Sequence, residues 1–155
     1  MLAERLSGSY KMLHLPDGLS QDSLHMLMTC EPQIKEIGDL ISRTDVLLFG
    51  IGTAMRMADQ RHIADDVRKQ LVDNHAVGEA LGQYCDIEGK LIYSTNNIGL
   101  SLPDVVKVPN VIAVAGGQEK ASAIIGVMRA CQKGILIIDE QAAEGMRQLL
   151  QISAL

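Results

Sequence analysis

Pro109-Asn110-Val111-Ile112-Ala113-Val114-Ala115-Gly116-Gly117-Gln118-Glu119-Lys120 runs from an apolar strand pattern through two glycines into a helix pattern, and its reading decides the fold. The apolar run ahead of the glycines reads as a parallel strand buried on both faces, and Ala121 to Met128 continues as an apolar-rich helix. A strand feeding a helix through Gly-Gly is suited to anions, because the first turn leaves N–H groups unpaired and glycines allow close approach. Lys120 adds to this. A cation at a helix N-terminus works against the macrodipole by roughly 0.3–1 kcal/mol unless an anion sits beside it. The same residues also fit a tight βα turn with Lys120 in water and Glu119 meeting the dipole.

The pattern recurs along the chain. Short apolar runs at Tyr10–Leu15, Asp45–Gly50, Val111–Ala115 and Ile135–Ile138 alternate with longer helical patterns, the sign of an α/β fold with a mostly parallel, Rossmann-like sheet flanked by helices. Ser20 to Ile41 carries apolar residues at helical spacing interrupted by Glu31-Pro32, and proline suits a first turn, so two helices are expected to meet there. Gln83-Tyr84-Cys85-Asp86-Ile87 and Lys90-Leu91-Ile92-Tyr93 flank Glu88-Gly89, which predicts a β-hairpin excursion near residues 82–94. Leu2 to Gly8 resembles the last turns of a helix without the strand that should precede it, as though the chain began mid-domain.

Composition narrows the function. A chain of 155 residues suits one globular unit and buries enough surface to fold without disulfide or metal. Its net charge is −5 and its basic residues are scattered, which argues against nucleic-acid binding by these residues alone. Aromatic content of 3% leaves few stacking platforms, so recognition falls to polar groups and backbone. Cys30, Cys85 and Cys131 are odd in number and far apart, which argues against a disulfide framework and for a reducing cytoplasm. No apolar run approaches membrane-spanning length, and the first residues lack a signal core. His14, His25, His62 and His75 show no metal-ligand spacing, so neither metal nor cofactor is expected.

Phe49-Gly50-Ile51-Gly52 repeats the glycine-ended strand, placing Gly50 and Gly52 at the carboxyl edge where open α/β sheets bind ligands. It is not a dinucleotide fingerprint, since Met55 stands where the third glycine belongs. Beyond it Arg56, Asp59, Gln60, Arg61 and His62 follow; Arg56 or Arg61 suits a phosphate clamp, and a solvated arginine is the plain alternative. Glu79 is a single carboxylate in the small, apolar run Ala76–Gly82, placed to accept hydrogen bonds from sugar hydroxyls or simply to sit in an exposed turn. No nucleophile motif is present, and a catalytic role for Glu79 lacks a readable acid/base partner. Asp139 reads as the N-cap of a final helix from Glu140 to Leu150, and Met26, Met28, Met55, Met57, Met128 and Met146 as core filler.

Taken in order, Asp45–Gly52, Ala76–Glu79 with Asp86 and Gly89, Val111–Gly117 with Lys120-Ala121, and Ile138–Glu140 resemble the sugar-binding domain of SorC-type bacterial transcriptional regulators, nearest the branch that governs central glycolytic genes. The resemblance implies the fold of glucosamine-phosphate deaminase and ribose-phosphate isomerase, without catalysis. It implies a sensor for a phosphorylated sugar, fructose 1,6-bisphosphate in the glycolytic branch, within a homo-oligomeric repressor. By that likeness Lys120 and the Gly116-Gly117 loop hold a phosphate, Glu79 contacts hydroxyls, and Gln60 or Arg61 reaches the ligand. Residues 1–155 would form the C-terminal portion of such a domain. The N-terminal DNA-binding domain and an early Gly/Thr-rich phosphate loop are not found in this sequence. The rival on the same fold is a sugar-phosphate isomerase or deaminase.

Overall fold

The computed structural model describes residues 2–15 and 18–151. Where composition suggested one globular unit, the chain divides into two compact units: residues up to Arg43 together with Asn96–Ile98, and Thr44–Thr95 together with residues from Gly99 on. The first unit holds α1 (Leu2–Arg5), α2 (Gln21–Cys30) and α3 (Pro32–Ser42). Ser20 caps α2, its hydroxyl accepting the Ser23 N–H at 3.1 Å, and Pro32 opens α3, so the break at Glu31-Pro32 separates two helices. Asn96 is tied to this unit by donating to the Leu19 carbonyl at 3.0 Å and accepting from Gln21 at 2.8 Å.

The strand expected at Tyr10–Leu15 does not form; these residues are irregular and belong to neither sheet. A strand needs a neighbour to take its backbone groups. Here the apolar side chains of Met12, Leu13 and Leu15 instead line a cleft with Leu27, Ile34 and Ile37 of α2 and α3.

The second unit contains β1 (Val46–Gly50), β2 (Gly52–Thr53), α4 (Ala54–Gln60), α5 (Asp65–Asp73), β3 (Gly78–Ala80), β4 (Gln83–Cys85), β5 (Leu91–Ser94), β6 (Asn110–Ala115), α6 (Ala121–Cys131), β7 (Ile135–Ile138) and α7 (Glu140–Leu149). Strands β1, β6 and β7 form a parallel sheet in that order, with Phe49 beside Ala113 and Ala113 beside Leu136. One face is buried, through Phe49, Val111, Ala113 and Ala115. The other carries Val46, Leu48, Val114, Ile135 and Ile137, all exposed. The expectation of a strand buried on both faces therefore holds for only one face of β6. A continuous apolar run has no polar residues to mark which side is covered.

The hairpin expected near residues 82–94 forms from β4 and β5, and it belongs to a larger antiparallel sheet of order β2-β3-β4-β5. Asp86 shapes its turn by accepting the Glu88 and Lys90 N–H groups at 3.0 and 2.9 Å. Helix α6 is buried nearly all round, through Ala121, Ala123, Ile124, Ile125, Gly126, Val127 and Cys131. Its residues share one core with the covered face of the parallel sheet and with Ala80 and Cys85 of the antiparallel sheet. A Cβ on Gly126 would lie 2.4 Å from the Asp86 carbonyl oxygen, so only glycine lets the helix approach the hairpin this closely. The opposite side of the antiparallel sheet packs Tyr84 against Ala54, Ala58 and Leu71 of α4 and α5.

Candidate functional site

The two sheets meet at Gly50-Ile51-Gly52. Ile51 is the last residue held by the parallel sheet, donating its N–H to the Val114 carbonyl at 3.2 Å, and Gly52 already pairs with Glu79 in the antiparallel sheet. A cavity of about 390 Å³ opens at this junction. Phe49, Ile51, Met57 and Leu81 form its apolar wall; Gly50, Gly52, Arg56, Gln60, Arg61, Glu79 and Lys120 supply the rest. A Cβ on Gly52 would fall 2.4 Å from Met57 Cγ, so glycine here lets the methionine lie over the strand.

Glu79 stands at the centre of a cross-strand row, Gly52, Glu79, Tyr84 and Tyr93, whose side chains share one face. It is 3% exposed, against the alternative of an exposed turn residue. Its Oε1 accepts the Gly82 N–H at 2.7 Å and an Arg61 guanidinium N–H at 3.2 Å. A buried carboxylate requires such partners, since an unpaired charge there would cost several kcal/mol. Burial, and after it the negative charge of Glu79, pushes the neighbouring Tyr84 phenol up to about 12. The turn between β3 and β4 has Leu81 and Gly82 both at positive φ, 55° and 78°, as a two-residue hairpin needs. Leucine seldom adopts that conformation, and here it points Leu81 into the cavity wall.

The second glycine-ended strand differs. The Gly117 N–H donates to both carboxylate oxygens of Asp139, at 3.1 and 2.9 Å, and a Cβ on Gly116 would lie 2.6 Å from one of them. Asp139 also caps α7, accepting the Ala142 N–H at 2.8 Å. The Ala142 and Gly117 bonds, with a smaller contribution from the Lys120 charge, hold its carboxyl below the usual range. Lys120 ends the 3₁₀ turn Gln118–Lys120 and reaches the cavity; Gly116 and Gly117 are not among its lining residues. Of the eight residues expected at the site, the fold brings Gly50, Gly52, Gln60, Arg61, Glu79 and Lys120 together and leaves the two glycines beside Asp139.

Three basic side chains and one carboxylate facing a cavity, in a protein of net charge −5, suit a ligand that is both anionic and hydroxylated. Sequence reasoning missed Leu81 and read Met57 as core filler. The β3–β4 turn carries only one glycine, so the signal for a hairpin at Ala80-Leu81-Gly82-Gln83 was weak. His62 and His75 have positive φ just beyond α4 and α5, where they end helices. Burial pushes the Cys85 and Cys131 thiols up to about 12 and about 11, so neither is a thiolate near neutral pH. Among the described residues no cluster of His, Cys, Asp or Glu is arranged to hold a metal, and no helix is long and apolar enough to cross a membrane.

Residues 1–148 match the family model described as "Putative sugar-binding domain". The central glycolytic genes regulator of Bacillus subtilis (strain 168) is 36% identical over 143 residues, covering 92% of this chain and 42% of its own. The crystal structure of a protein titled "putative SorC family transcriptional regulator" from Enterococcus faecalis is similar with a TM-score of 0.85 at 38% identity, over 94% of this chain and 59% of that one. The full-length sorbitol operon regulator SorC of Klebsiella pneumoniae shares the fold, with a TM-score of 0.76 at 24% identity over 93% of this chain and 47% of its own. The chain thus spans less than half the length of the central glycolytic genes regulators it matches.

Proposed function

The chain belongs to the sugar-binding domain family of SorC-type transcriptional regulators, and on that premise we propose that its cavity binds a phosphorylated sugar as the effector of a noncatalytic sensor module. The observation that carries the reading is the composition of the cavity: one buried carboxylate, Glu79, among Arg56, Arg61 and Lys120. Sugar hydroxyls donate to the carboxylate and phosphate oxygens accept from the cations. The choice of fructose 1,6-bisphosphate is supported by similarity to a regulator of central glycolytic genes. In this reading the module sits in a cytoplasmic, homo-oligomeric repressor and meets DNA only through an N-terminal domain outside these 155 residues. The sugar acts by preferring one arrangement of the subunits over another.

The relatives it resembles are regulators of transcription. Glu79 already accepts two hydrogen bonds through one oxygen, which suits it to receive hydroxyl donors more than to abstract a proton in an isomerase or deaminase reaction. The test is a melting-temperature screen against fructose 1,6-bisphosphate, fructose 6-phosphate and glucosamine 6-phosphate, followed by calorimetry. A ligand at 100 times its Kd stabilises by about 2.7 kcal/mol, an easily read shift. No shift with any phosphosugar removes the sensor reading, and turnover of one of them favours the enzyme. At about 50 mM salt, where phosphate attraction is strong, this chain alone should not retard operator-like duplex; a specific shift would contradict its role as sensor only.

A further inference from the structure

The two arginines of the cavity differ in what they already hold. Arg61, the residue after α4, gives a guanidinium N–H to Glu79, and its side chain is 31% exposed. The same Glu79 oxygen is bonded to the Gly82 amide, so one carboxylate links the end of α4 to the β3–β4 turn. Arg56 is exposed in the first turns of α4, and its guanidinium makes no ion pair or hydrogen bond among the described residues. Gln60 lies four residues further, on the same helix face, and also lines the cavity. Lys120 reaches the cavity from the other glycine-ended strand, and its ammonium likewise forms no hydrogen bond or ion pair among the described residues.

We propose that Arg56, with Lys120, is the cation pair that receives the ligand's anionic group, and that Arg61 is a positioning residue that holds Glu79 toward the hydroxyls. This rests on the phosphosugar reading and assigns roles within that site. Arg61 reaches Glu79 through one Nη2–H at 3.2 Å while its Nε is buried without a partner among the described residues, so swinging its fork out to a phosphate would take a donor from that buried carboxylate. Arg56 has no such bond to break. It also offers the fork that Gln60, a neutral side chain, does not.

The experiment uses two probes on the 155-residue chain, inorganic phosphate by NMR titration and fructose 1,6-bisphosphate by calorimetry. Arg56→Gln should weaken both, each by roughly tenfold, the scale of one charge-assisted hydrogen bond. Arg61→Gln should weaken only the bisphosphate, leaving phosphate affinity within about twofold. Arg61→Lys, which keeps a donor for Glu79, should recover part of the loss. In the Glu79→Gln background the Arg61→Gln change should cost nothing more, because its effect passes through Glu79. Phosphate binding weakened by Arg61→Gln as much as by Arg56→Gln overturns the assignment, as does Arg56→Gln that changes neither affinity. Binding of phosphate but not of the sugar removes the phosphosugar reading while the phosphate titrations still decide between the arginines. If the unmutated chain binds neither probe, both fall.

Discussion

Two adjacent strands of one sheet end in glycines at the same edge, and they end differently. Beyond β1, Gly50-Ile51-Gly52 hands the chain to a second sheet and opens on a cavity lined by Arg56, Lys120 and a buried carboxylate paired with Arg61. Beyond β6, Gly116-Gly117 closes on the protein's own anion: Asp139 takes the Gly117 amide and occupies the space a Cβ of Gly116 would need. Both ends carry the glycines that allow an anion near the backbone. What separates them is which side chain, remote in sequence, arrives there first. A glycine-ended strand is a ligand site only when the rest of the fold leaves its donors unspent.

The largest test removes the carboxylate at the open end. Glu79→Ala leaves Arg61 and the Gly82 amide without their acceptor, so stability should fall by about 2–3 kcal/mol in a denaturant titration, with phosphosugar binding lost. Glu79→Gln, which keeps an acceptor, should fall by about 1 kcal/mol; equal stability of all three proteins would show that the Arg61–Glu79 bond does not hold the turn. Next comes Lys120→Met. Its binding of fructose 1,6-bisphosphate should weaken by about 1.5–3 kcal/mol, while the empty protein keeps its stability or gains a few tenths, because a cation leaves the start of α6. A clearly less stable mutant would mark Lys120 as structural.

At the closed end Asp139→Ala should act in two directions. Losing the cap of α7 lowers the melting temperature, and losing an anion beside Lys120 raises phosphosugar affinity a few-fold. The pH dependence has a defined sign. A carboxyl held below its ordinary value, roughly 3.9 for an aspartate, contributes stability that is present above that value and lost as pH falls through the depressed one. The mutant should therefore lose less stability than the parent on acidification below about pH 4; parallel acid curves would show that Asp139 is not bonded as described. The smallest effect is expected at Ile137→Ser, on the open face of the sheet that carries both ends. Its side chain is 52% exposed, so stability should change by less than about 0.5 kcal/mol; a larger loss would mean that this face is covered in solution.

Much of this was legible along the chain because local chemistry leaves periodic marks. The break at Glu31-Pro32, the cap at Asp139, and the apolar runs of β1, β6 and β7 each depend on residues close in sequence. Tyr10–Leu15 forms no strand: an apolar, half-alternating segment fits a strand and equally fits an irregular stretch whose side chains line a cleft with two helices. The turn at Leu81-Gly82 was hidden because leucine at positive φ contradicts local preference and is held there by the Gly82–Glu79 bond and the strands on either side. Arg56 and Arg61 could not be told apart in the sequence. Both are basic side chains in one polar stretch, and only the position of Glu79, 18 residues beyond Arg61, distinguishes them.

The sequence by itself determined the element types of the second unit, the glycine-ended strands at one sheet edge, the family, and most of the residues that gather around the cavity. Those follow from side-chain period, backbone freedom at glycine and capping chemistry, all of them local. The tertiary structure decided that the hairpin is half of a second sheet, that one face of the parallel sheet is open, and that Glu79 is buried and bonded. It also decided that the Gly117 amide donates to Asp139. These depend on which distant groups come within hydrogen-bond reach, and that distance is set by packing around α6 rather than by spacing along the chain.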